Sequence, residues 1–317
     1  MPVVALLASG CITGSDRVIT PEARAVRYLS LEVPAWPREN RCFSCHNNGD
    51  AARALYEADR LGFRVPREAL ATTTRWAAAP ARWDDNKGDP AFSDKRVANI
   101  QFAAALVAAF ETGHVRKIEP LREAARRVTA DQHADGSWPV SPPGTVGSPA
   151  TYGNALATFM ALRSLKPAGD AQLLPAIARG EQWLRSAVAH SVPDAAALLL
   201  AAGDGTDEGA VAVRERCVNF LLRAQTSDGG WGPYPDSPSE AFDTAIALIA
   251  LVKCREVPGV KELVRRGRAR LVAMQDSDGG WPATTRPTGG ESYAQRISTT
   301  GWATLALLAT RDLGERP

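Results

Sequence analysis

The stretch Gln225-Thr-Ser-Asp-Gly-Gly-Trp231 stands between a segment apolar on one face and a segment apolar on every side. It recurs as Gln132-His-Ala-Asp-Gly-Ser-Trp138 and Gln275-Asp-Ser-Asp-Gly-Gly-Trp281, with the glutamines 93 and 50 residues apart. Half the longer spacing is close to the shorter one. This predicts a degenerate copy near Ser186 and a period of about 45 to 50 residues, the range in which self-similarity means an array of supersecondary units. Within each copy, glycine can take the positive φ that ends a helix, and aspartate can bond the turn's backbone amides. The glutamine amide can join neighbouring loops while the indole caps a helix end, a packing role for Gln132, Trp138, Gln225, Trp231, Gln275 and Trp281.

Working outward, the segment before each copy carries apolar residues on one helical face. Ala210, Val213, Cys217, Phe220, Leu221 and Ala224 form one such stripe; Val260, Leu263, Val264, Leu271 and Met274 form another. The segments after the copies, such as 155–162, 241–252 and 300–309, are apolar all round, as are 100–110 and 195–202. The first kind predicts helices that meet water and the second predicts helices enclosed by protein. The pattern predicts twelve helices, at 20–31, 50–62, 67–79, 97–112, 119–131, 151–165, 173–188, 193–203, 208–224, 240–254, 259–274 and 298–311, forming six outer–inner pairs. The second helix of the first pair is charged through Arg53, Glu57, Asp59 and Arg60, which suits a terminal element of an array.

Composition agrees with an all-α class. The 317 residues are 45% apolar and 23% charged, rich in alanine and leucine, and nearly free of alternating β-branched runs. A net charge of +2 without a basic block argues against a nucleic-acid partner. The strongly apolar runs fall short of the roughly 20 residues that span a bilayer.

The three repeats resemble the "QW" repeats of the terpenoid cyclase and protein prenyltransferase superfamily, which includes the squalene-hopene cyclases. The resemblance implies that residues 20–312 form a single (α/α)6 toroid, flanked by a leader at 1–19 and a tail at 313–317. Full triterpene cyclases carry two such domains, so this chain matches one of them. Squalene-hopene cyclases place Asp-x-Asp-Asp-Thr-Ala at the start of an inner helix, its central aspartic acid protonating an alkene. Here Glu240-Ala-Phe-Asp-Thr-Ala245 occupies that place, and Phe242 stands where the proton donor belongs. Alkene protonation needs a carboxylic acid held neutral and then acidified, so phenylalanine cannot substitute. Asp243 and Glu240 remain the candidate catalytic acids, and a plain role at the helix start also suits Asp243.

Protein prenyltransferases hold zinc near the same turns with aspartate, cysteine and histidine. Cys217 and Cys254 do not reproduce that ligand set. Gly180-Glu181-Gln182 echoes the thioester motif of complement-like toroids, but Arg179 stands where the thiol must be.

Cys42-Phe-Ser-Cys45-His46 has the Cys-x-x-Cys-His form in which two thiols bond haem vinyl groups and the imidazole ligates iron. Covalent haem c on Cys42, Cys45 and His46 and a structural thiol pair are both open readings. Zinc lacks a fourth ligand nearby. Met1 to Cys11 ends in Ala8-Ser-Gly-Cys11, which looks like a lipobox, and predicts peripheral membrane association through a lipid anchor at Cys11. Haem attachment and lipidation together point to a bacterial cell envelope or periplasm.

Aromatic and polar residues at inner-helix entrances form the candidate ligand cavity: Phe102, Tyr152, Asn154, Phe159, Phe242, Tyr293 and Trp302, with Trp83 nearby. As a set they could stabilise carbocations or hold an isoprenoid chain. The sequence therefore predicts a cyclase-like toroid for an isoprenoid or other long apolar ligand, with isomerase or lyase chemistry if it is an enzyme. The alternatives are a non-catalytic exported binding module and a haem-bearing redox protein on the same fold.

Overall fold

A computed structural model of the chain describes residues 19–85, 94–140, 144–149, 151–284, 286 and 292–313. All but the last residue of the leader, Cys11 among them, and all but the first residue of the tail lie outside these. Among the described residues the chain is all-α, without strands. The outer helices are α1 (Pro21–Asn40), α3 (Arg67–Ala77), α5 (Glu119–Ala130), α7 (Leu174–Ser186), α9 (Glu208–Ala224) and α11 (Val260–Ala273). The inner helices are α2 (Ala52–Arg60), α4 (Lys95–Glu111), α6 (Gly153–Leu165), α8 (Val192–Ala202), α10 (Ala241–Leu251) and α12 (Tyr293–Ala309). Burial separates the two sets: ten of the eleven residues of α10 are buried, but only five of the fourteen in α11.

Each inner helix packs on the next, and α12 packs back on α2, so the ring is a closed toroid. The repeats brace it. Trp138, Trp231 and Trp281 are fully buried, and each indole N–H donates to a carbonyl in the last turns of the preceding outer helix: Val128 at 2.6 Å, Leu221 at 2.8 Å and Leu271 at 2.8 Å. Their backbone amides donate to Thr158, Thr244 and Thr300 on the following inner helices. Each glutamine donates to its own turn and to the next outer helix. Gly279 shows why the turn needs glycine: its φ is +99°, and a Cβ would lie 2.5 Å from the Arg24 carbonyl. At Ser186, where a degenerate copy was expected, α7 ends, and Val192 at the start of α8 donates to the Pro233 carbonyl at 2.9 Å.

Three boundaries differ from the sequence reading. Helix α1 runs to Asn40 through Pro34 and Pro37 rather than ending at 31. Proline cannot donate to the carbonyl four residues earlier, and the Val33 carbonyl that Pro37 leaves free is taken by Asn48 Nδ2 at 3.3 Å. Helix α12 begins at Tyr293 rather than 298, capped by Ser292. A π-helical turn, His46–Ala51, precedes α2, so the Cys-x-x-Cys-His motif opens the first inner helix.

Candidate functional site

Along the axis, at the carboxy-terminal ends of the inner helices, lies a cavity of about 300 Å³ to which all six contribute. Its wall is apolar: Ala104, Val107 and Ala108 from α4, Phe159 and Met160 from α6, Leu200 from α8, Ile249 from α10, Leu305 from α12. Small side chains facing the axis leave the space that larger ones would fill. The rim is charged, with Arg60 paired to Glu57 at 2.5 Å and Arg163 to Glu111 at 3.2 Å. The volume lies at the lower end of the range for small-molecule sites.

Arg53 and Trp302 also line the cavity, the guanidinium carbon 4.1 Å from the indole centroid. One turn back towards the amino end of α2, the Asp50 carboxylate is buried. It accepts from the Tyr152 hydroxyl, from Gln101 Nε2 at 2.8 Å and from Ser298 Oγ at 2.9 Å. Burial raises its pKa, opposed by the Arg53 charge and by the three donors. Because Ser298 donates to Asp50, it accepts from His46 Nδ1 at 2.9 Å, which fixes the proton on that nitrogen. Tyr152 holds a φ of +63°, a strained conformation for a non-glycine residue, and its hydroxyl lies on Asp50. Close approach of α12 to the π-helical turn needs Gly301, where a Cβ would come within 2.9 Å of the Asp50 carbonyl.

At the amino end of α10, Glu240 is the N-cap residue and Asp243 is fully buried. Arg286 donates to Asp243 at 2.9 Å, to Glu240 at 3.4 Å and to the Gly147 carbonyl at 3.0 Å. Burial pushes the Asp243 carboxyl up to about 7 against the pull of Arg286. Its Oδ2 has no hydrogen-bond partner among the described residues. Phe242 packs edge-on against Trp302 at 5.8 Å, as does Tyr152, so the phenyl ring is part of a buried aromatic cluster.

Of the seven residues expected in the cavity, Phe159 and Trp302 line it. Tyr152 and Phe242 sit deeper, against Trp302. Phe102 packs on Trp76 at 5.9 Å and on Trp83 at 5.6 Å, and Asn154 accepts from the Val140 amide at 3.0 Å. Tyr293 is exposed, stacked on Trp36 at 5.3 Å and donating to Glu32 at 2.6 Å. Sequence reasoning missed Asp50, Gln101, Ser298 and Arg286. Only the charge on α2 signalled any of this, and it marked Arg53 for the opposite reason, as a mark of a terminal helix.

Cys42 and Cys45 are free thiols, half-buried with His46. Trp36 Nε1 donates to Cys42 Sγ at 3.2 Å. Burial, then the Asp50 charge, pushes the Cys45 thiol up to about 12, and burial lowers His46 to about 4. Among the described residues no group of three or more His, Cys, Asp or Glu is arranged to hold a metal ion, and no helix is long and apolar enough to cross a membrane.

Residues 191–316 match the squalene-hopene cyclase C-terminal domain family. Drimenyl diphosphate synthase from Streptantibioticus cattleyicolor is 29% identical over 180 residues, 53% of this chain and 33% of that synthase. The synthase of the same name from Streptomyces showdoensis is 41% identical over 68 residues, 21% of this chain and 12% of that protein. The matched region thus spans a third or less of these relatives. The type II terpene cyclase MstE from Scytonema aligns over 93% of this chain and 99% of its own, with a TM-score of 0.57 and 12% identity. A variant of MstE in complex with geranylgeranyl dihydroxybenzoate as substrate gives 0.55 and 13%, covering 93% and 99%. At that identity the likeness is one of fold.

Proposed function

We propose that the chain, whose residues 191–316 match the squalene-hopene cyclase C-terminal domain family and whose fold is similar to that of a type II terpene cyclase, holds an isoprenoid or other long apolar ligand in the axial cavity without cyclising it. The carrying observation is the apolar cavity lined by all six inner helices. The substrate named for MstE is prenylated, which supports a ligand of this class. Against cyclisation stand Phe242 in the acid's place and Asp243 tied to Arg286. A fixed guanidinium in the cavity also opposes a developing carbocation. The test has two parts. Lipid extraction of purified protein followed by mass spectrometry should release an apolar ligand, and incubation with squalene should return no cyclised product. Hopene in the incubation would overturn the non-catalytic reading and direct attention to Asp50, Asp243 and Glu240.

A second reading, covalent haem on Cys42, Cys45 and His46, is favoured by His46: its Nδ1 is engaged by Ser298, which leaves Nε2 as a donor for iron. Cys42 and Cys45 are both half-buried, and Cys45 also packs against the core, so it must turn out for its thiol to add across a vinyl group. A bound haem would supply one-electron redox chemistry. Export to a bacterial envelope and lipidation at Cys11 belong to this reading.

A further inference from the structure

Arg53 is 7% exposed, yet among the described residues its guanidinium has almost no hydrogen-bond partners. Its Nε is buried without one, and Nη1 reaches only the Met160 thioether at 3.6 Å. Asp50 acts on it through space, but that carboxylate is already engaged by Tyr152, Gln101 and Ser298. The carboxylates on the rim are committed elsewhere, Glu57 to Arg60 and Glu111 to Arg163. A buried cation is normally paired or fully hydrogen-bonded. Here the unsatisfied group lies at the wall of the axial cavity, over the Trp302 ring, with apolar side chains leading to it.

We infer that Arg53 is a head-group receptor, and that the ligand of the axial cavity is an amphiphile whose chain fills the apolar space and whose single acidic group, a carboxylate or a phosphate monoester, ends on this guanidinium. The planar fork matches either oxyanion bidentately, and Trp302 holds it in place from one side. The inference rests on the ligand-binding reading above and adds the ligand's chemical class and orientation: acid group inward, chain towards the rim.

The test measures dissociation constants of three probes with one chain and different ends: farnesol, farnesoic acid and farnesyl monophosphate. Wild-type protein should bind at least one acidic probe about tenfold or more tighter than farnesol, and the tighter acid identifies the head group. Arg53→Met should abolish that preference, read as the ratio of the acid and alcohol dissociation constants. Arg53→Lys, which keeps the charge but not the fork, should retain part of it. Arg53→Met also removes the charge that offsets the burial of Asp50, so its fold is checked by helical circular dichroism, and Arg53→Lys, which keeps that charge, carries the test if Arg53→Met does not fold. Equal binding of acid and alcohol to wild type, or a preference that persists in Arg53→Met, would overturn the inference alone. Absence of binding by all three probes would overturn the ligand reading and this inference with it.

Discussion

Gln275, just after α11, donates from Nε2 to the carbonyl of Pro21 in the first turn of α1 at 2.9 Å, a bond across 254 positions of sequence. Gln132 makes the same bond to Ala176 at 2.8 Å and Gln225 to Leu263 at 2.9 Å, each in the next outer helix. Gln275 finds its next outer helix at the beginning of the chain. The bond that joins neighbours elsewhere closes the ring here, and Arg24 completes it by donating to the Gln275 oxygen.

Removal of the closing bond should weaken the fold as removal of its internal counterparts does. Gln275→Ala and Gln225→Ala should each cost about 1 to 2 kcal/mol, since each leaves carbonyls unpaired. Chemical denaturation checks this. A neutral Gln275→Ala beside a destabilising Gln225→Ala would mean that the ends meet without holding each other.

The indoles carry more. Trp231→Ala and Trp281→Ala should each lower stability by about 3 kcal/mol, from a vacated buried volume and an orphaned helix-end carbonyl. For a chain of this size that is about 5 °C in thermal midpoint. Unchanged midpoints would contradict the bracing role.

Most of this architecture was legible in sequence because it is periodic. The alternation of one-faced and all-round apolar helices, and the fixed Gln-to-Trp spacing, predicted twelve helices in six pairs, and the described residues form twelve α-helices. What escaped lies in the first pair. Charge on α2 suggested a terminal element of an array, but a closed ring has no terminus, and Asp50 and Arg53 are buried. Asp50 meets Gln101, Tyr152 and Ser298 from three other inner segments, and Asp243 meets Arg286 from a distant loop. No local pattern encodes such meetings. Pro34 and Pro37 hid the end of α1 because the compensating donor, Asn48, lies on another element.

Asp243 gives the protein a pH signature. Its folded-state pKa of about 7 lies above the ordinary carboxylate value, chiefly through burial. Between the two values the folded state binds a proton that the unfolded state has lost, so this group's contribution declines as pH rises from about 4 to about 7. Asp243→Asn should flatten that decline when unfolding free energies are compared between pH 5 and pH 8. The same comparison leaves the contributions of Asp50 and His46 in both proteins. An identical pH slope in wild type and Asp243→Asn would show that the carboxylate is ionised throughout.

The amino-terminal motif has a spectroscopic test. Expression in a host with c-type maturation should give a Soret band that survives denaturation and acid-acetone extraction, because thioether bonds retain the porphyrin. Cys42→Ala with Cys45→Ala should abolish the retention, whereas His46→Ala should chiefly alter axial ligation. A colourless, well-folded protein from such a host would assign the two thiols to packing at the mouth of the first inner helix.

The axial cavity itself is tested most directly by filling it. Ala108 lines the wall from α4, and Ala108→Trp places a ring where the ligand chain would lie. Titration of wild-type protein with farnesol should show saturable one-to-one binding, and Ala108→Trp should lose it by at least tenfold while keeping its helical circular dichroism. Binding that survives the filled cavity, or no saturable binding by wild type, would contradict the axial ligand site.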